Sequence, residues 1–176
     1  MPCCGSRTTD LLRPYRVAYE HPTQPEAAAF LRALADGDLE AAWARLSRES
    51  RGLLEGRYAA QAHIPLHHAA AVGAEAGDAR IAAVVGPLRD AALAVTGGAA
   101  SLLALAVSAA RLVDRGTAFV LLLPDLGEEH IVREEEWRPA YLLAFVHESR
   151  EWLVDLGRTA ELSADAGLPD PLGALR

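Results

Sequence analysis

Lysine and asparagine are absent from this chain of 176 residues, so all 17 of its basic side chains are arginine. The first absence removes a Schiff-base nucleophile, a pyridoxal-phosphate anchor and a Walker-type phosphate loop. The second removes N-glycosylation acceptors and a papain-type orienting amide. A coding bias towards Ala, Arg, Gly and Leu, of the kind GC-rich bacterial genomes impose, accounts for both gaps without a functional cause. Cysteine is confined to Cys3 and Cys4. Adjacent cysteines rarely bridge each other and lack the partners of a zinc site, which argues against a disulfide framework and a Cys-based metal centre. The same stretch lacks a myristoylation glycine and the basic-then-apolar pattern of a secretory signal, so the expected location is cytoplasmic. Concentrated positive charge is missing as well. The formal net charge is −7 and the arginines are scattered, which disfavours a nucleic-acid partner. The one long run without charge, Ala91 to Ala110, is broken by Gly97-Gly98 and dominated by alanine, a poor membrane span. No Gly-x-Ser-x-Gly elbow, dinucleotide fingerprint or calcium loop occurs.

What is present is the composition of one globular domain, with 51% hydrophobic and 23% charged residues. Residues 1–22 read as a mobile leader, 23–157 as a single domain, and the proline- and glycine-bearing 158–176 as a loosely held tail. Thr23 and Glu26 have the spacing of a capping box opening a helix that Asp36-Gly37 ends. Asp38 caps a second helix whose Leu39, Trp43 and Leu46 form one apolar stripe. A third helical stretch begins near Ser50 and is broken by Pro65. A fourth covers Asp78 to Val95, which Gly86-Pro87 is expected to bend or divide.

The second half of Ala99 to Val113 reads as a strand, entering a hairpin that turns at Asp114-Arg115-Gly116 with glycine supplying positive φ. Ile131 to Glu135 reads as a charged edge strand. In Tyr141 to Val146, Tyr141, Leu143 and Phe145 alternate with Leu142, Ala144 and Val146, and both sets look buried. Glu148 to Glu151 supplies a turn, and Trp152, Val154 and Leu156 lie on one face of a closing strand on which Asp155 is a surface residue. Helices followed by an antiparallel meander define an α+β fold, a helical layer on one sheet.

Two segments resemble the NTF2-like family. "FLRALADGDLEAAWARLSRESRGLL" is similar to its opening, a helix, a Gly-Asp turn and a second helix with an aromatic. "YLLAFVHESREWLVDLG" is similar to its final hairpin. The resemblance implies a curved antiparallel sheet wrapped around helices as a cone, here with an extra helical segment in the middle. It also implies a cavity at the wide end, and a homodimer formed through the sheet, as is common in the family.

Under that resemblance, Trp43, Tyr58, His67, Tyr141, Phe145 and His147 are the candidates for the cavity wall. Catalytic members work with a buried acid and a tyrosine or histidine in an apolar pocket. Asp90, Asp114, Asp155, Tyr58, Tyr141, His130 and His147 supply such groups, but no position matches a family motif for the acid and its partner. His63 and His67 have the four-residue spacing of helical metal ligands, yet Pro65 stands between them. Glu75 and Asp78 are unproven third ligands, and solvent-facing histidines are the preferred reading, with no metal and no cofactor. The expected function is a non-catalytic module that binds a small apolar ligand or a protein partner. The alternative is a small cofactor-free isomerase, dehydratase or cyclase for a polyketide- or steroid-like substrate.

Overall fold

The structure is a computed structural model and describes residues 15–124 and 140–172. The helices that precede the main strands form one layer. α1 spans Thr23–Asp36, α2 Leu39–Ala44, α3 Arg48–Ala62 and α4 Leu66–Ala69. They are followed by α5 (Arg80–Thr96) and the short α6 (Ala99–Leu103). The helix ends follow local chemistry. Gly37 closes α1 at φ 76°, a left-handed position that glycine adopts without steric cost. Asp38 and Ser47 cap α2 and α3 by accepting from the N–H groups of Ala41 and Ser50.

The start of α1 departs from expectation. The reciprocal pair is displaced two residues, for Gln24 Oε1 accepts from His21 N–H and the His21 ring meets Thr23 N–H and its hydroxyl. Nor does Gly86-Pro87 divide α5. Ile81, Val84, Val85, Leu88 and Ala92 form one buried face. Pro87 lies on the solvent side, and so does Ala83, so the carbonyl that Pro87 deprives of its donor is wetted.

The sheet has six strands: β1 (Arg16–Ala18), β2 (Leu105–Val107), β3 (Ala110–Leu112), β4 (Thr117–Pro124), β5 (Tyr141–Glu148) and β6 (Glu151–Val154). The order is β1-β3-β4-β5-β6, with β2 also on β4, and every strand pair is antiparallel. β1 takes Arg16 to Ala18 out of the expected leader and makes them an edge strand. Val107 faces Leu122 while Arg111 faces Phe119, so four steps on one strand oppose three on the other. That extra residue is a β-bulge at Ser108-Ala109. Ser108 bridges it, accepting from Leu121 N–H through its hydroxyl and donating its own N–H to Leu121 O. The β3–β4 turn forms as expected but by another device. Gly116 has no positive φ; its N–H donates to Asp114 Oδ1 at 2.7 Å. That bond draws the Asp114 carboxyl below its ordinary pKa.

Both faces of the sheet are covered. Tyr141, Leu143, Phe145, Val120 and Leu122 pack with Phe30, Leu34, Leu46, Val85 and Leu88 of the helical layer. Burying each such side chain contributes about 1.5–3 kcal/mol. On the opposite face Phe119, Leu142 and Ala144 pack with Leu162 and Leu168. Leu162 belongs to α7, Leu156–Ala166, a helix where a loose tail was expected. Leu156, Thr159 and Ser163 are its buried side, and Gly167 ends it in the left-handed region. The closing strand therefore stops at Val154, and Leu156 lies in the helix. The fold is α+β with helices on both sides of the sheet. Ile131 to Glu135 and His130 lie outside the described residues.

Candidate functional site

Two polar constellations stand out, and both gather around β6. The first is buried. Asp155 is 2% exposed and is no surface residue. It caps α7 by accepting from Arg158 N–H at 2.8 Å, while its other oxygen accepts from the Ser47 hydroxyl at 2.8 Å. Ser47 is itself the cap of α3, so one carboxylate serves the N-termini of two helices, where their dipoles favour negative charge. Ser50 joins its hydroxyl to that of Ser47 and accepts from Leu156 N–H. Thr159 Oγ1 accepts from Ala144 N–H and donates to Asp155 O, completing the ladder where β6 ends. This clasp is a closed set of hydrogen bonds, and none of its four side chains lines the groove beside β6 or the crevice between α3 and α5.

The second constellation is an open groove of about 510 Å³ between the β5–β6 hairpin and the helical layer. Pro22 and Glu26 line one side, Ala44 and Arg45 the floor, and His147, Arg150, Glu151, Trp152 and Leu153 the other side. Trp152 stands between two imidazoles, with ring centroids 4.8 Å from His21 and 5.1 Å from His147. Burial lowers the His21 pKa. Arg45 donates Nη1 to Ala41 O and approaches Glu26 only at 3.6 Å. Its Nε is buried with no hydrogen-bond partner among the described residues. Above the groove the two-residue hairpin loop, Ser149 and Arg150, has φ of 49° and 74°. A type I′ turn needs that geometry and ordinarily places Asn-Gly there.

Of the six residues expected to line a cavity, Trp43, Tyr58, Tyr141 and Phe145 belong to one hydrophobic cluster, and the groove and the crevice between α3 and α5 take one each. Phe145 is wholly buried in the core. Tyr141 is buried, its hydroxyl donates to Val95 O at 3.1 Å, and burial raises its pKa. Trp43 is buried beneath Gly73, whose φ of 76° and missing Cβ let the backbone sit against the indole. Tyr58 borders a crevice of about 10 Å³ between α3 and α5, room for a water and no ligand. His67 is exposed beside His68, ring centroids 4.3 Å apart. Only His147 reaches the groove.

Arg45, Trp152 and His21 were missed by sequence reading, because the groove is assembled from stretches more than a hundred residues apart. His63 is the left-handed cap of α3 and Pro65 precedes α4, so His63 and His67 do not share a helix. Asp78 holds Arg80 at 2.7 Å and Gly73 N–H, which lowers its pKa through those hydrogen bonds and fixes the loop before α5. Among the described residues no three His, Cys, Asp or Glu side chains are grouped to hold a metal, and no helix is long and apolar enough to cross a membrane. Compared with protein-family models, characterised proteins and solved structures, the chain matches none.

Proposed function

We propose that this protein is a non-catalytic binding module of NTF2-like type whose working surface is the groove beside Trp152. The observation that carries the reading is the division of labour between the two constellations. The buried carboxylate, Asp155, is consumed by two helix caps and lines neither the groove nor the crevice between α3 and α5, whereas the groove offers an aromatic, two arginines and an imidazole without a buried acid. An enzyme of isomerase, dehydratase or cyclase type would need a carboxyl facing bound substrate in a dry site. The groove's carboxylates, Glu26 and Glu151, stand in open surroundings. With α7 over the far side of β5, a partner meets the groove more readily than the sheet face.

The test is NMR of the full-length chain titrated with anilinonaphthalene sulfonate, alongside turnover assays on a ketosteroid and a model polyketide. Shifts of the Trp152 indole and His147 imidazole without turnover are expected. Turnover that His147→Gln or Asp155→Asn abolishes in a folded variant would replace the module by the enzyme.

A further inference from the structure

β6 has one edge on β5 and one facing the groove, and hairpin geometry settles which backbone groups point where. Glu148 and Glu151 flank a two-residue loop, which makes them a pair that exchanges both hydrogen bonds. Alternation then turns Trp152 N–H and C=O away from β5, as it does those of Val154. The Val154 groups confirm the phase. Val154 N–H donates to Arg45 O and Val154 O accepts from Ser47 N–H, both at 2.8 Å, forming a parallel bridge opposite Leu46. Two residues earlier the neighbouring chain has turned into α2, and no group among the described residues bonds Trp152 N–H or C=O. Among the described residues the ladder begun at Val154 is thus left open at Trp152, on the wall of the groove.

The geometry points to an extended peptide segment with an acidic side chain as the occupant of this groove, adding to the β6 edge at Trp152. This rests on the binding reading above and names the partner. A strand supplies the donor and acceptor that Trp152 lacks and continues a ladder already present at Val154. A carboxylate matches Arg45, whose Nη2 has no hydrogen bond and whose acidic partner, Glu26, stands at 3.6 Å among the described residues. A wholly apolar ligand would instead cover two arginines and two glutamates without returning their lost hydration.

The experiment selects displayed random eight-residue peptides on the full-length chain and synthesises the tightest. Amide exchange and NMR are then recorded with that peptide and with versions N-methylated at each position in turn. The expected result is at least tenfold slower exchange at Trp152 N–H, and at least tenfold weaker binding when alternate amides are methylated. Trp152→Pro, which removes the donor at an edge position that tolerates proline, should abolish binding where Trp152→Phe retains it. Arg45→Gln should remove the preference for an acidic residue.

If dye shifts Trp152 but no peptide is selected, or methylation has no effect, the peptide inference falls and the binding reading stands. If neither dye nor peptide reaches the groove, both fall. Protection of Trp152 that rises with protein concentration alone assigns the edge to a second copy and overturns the proposal.

Discussion

Val154 and Trp152 lie two residues apart on one edge strand and have opposite fates. At Val154 both outward backbone groups are bonded, N–H to Arg45 O and C=O to Ser47 N–H, and the neighbouring Asp155, Ser47, Ser50 and Thr159 close a buried hydrogen-bond set. At Trp152 the outward backbone groups face an open groove with a loosely paired arginine and a left-handed turn of ordinary residues. A buried polar group costs about 1–3 kcal/mol when it is left unpaired, so the clasp is fully paired. A surface that must accept a partner keeps its groups unspent. The difference sets the closed hydrogen-bond clasp at one end of β6 and the proposed binding surface at the other.

Breaking the clasp should have the largest effect. Asp155→Ala removes a cap from α7 and strands the Ser47 hydroxyl, a loss of about 3 kcal/mol in urea unfolding. Asp155→Asn, which keeps an acceptor, should lose less. The groove end should respond in the opposite sense. Replacing Ser149-Arg150 by Asn-Gly suits both left-handed positions and should stabilise by about 1–2 kcal/mol, seen as a higher denaturation midpoint. Glu26→Gln, on the exposed rim, should alter stability by less than about 0.5 kcal/mol. A loss near that of Asp155→Ala would erase the distinction between the two ends.

The gentlest probe is pH. Burial holds His21 below its ordinary value of 6.5, so the neutral ring is favoured in the folded chain. Its contribution is complete above about pH 6.5 and is lost as pH falls from there through the lowered folded value. The slope of stability against pH in that window should flatten in His21→Gln, with thermal unfolding at several pH values as the measurement.

Much of the fold was legible because its signals are local. Gly37, Asp38 and the Asp114 turn announce themselves by residue type, and the alternation in Tyr141 to Val146 correctly implied two buried faces. α7 escaped although its signals were present. Asp155 stands at a cap position, Leu156, Thr159 and Ser163 recur at helical spacing, and Gly167 sits at the end. The strand pattern of Trp152 and Val154 ran on into Leu156, and the prolines beyond suggested a tail. The groove left no comparable trace. Pro22, Arg45 and Trp152 come together through long-range contacts such as the two hydrogen bonds of the Val154 bridge, which have no periodicity to read.

The hydrogen bond between Ser47 and Asp155 spans 108 residues of sequence. On a ribosome adding about 5–20 residues per second, Asp155 is made roughly 5–20 s after Ser47. Once Thr96 is made, α1 to α5 are complete but the sheet that buries their apolar faces is not. The nascent helical layer must be shielded until β4 and β5 emerge, and a chain arrested before Asp155 leaves the Ser47 hydroxyl without its carboxylate and the far face of the sheet without α7.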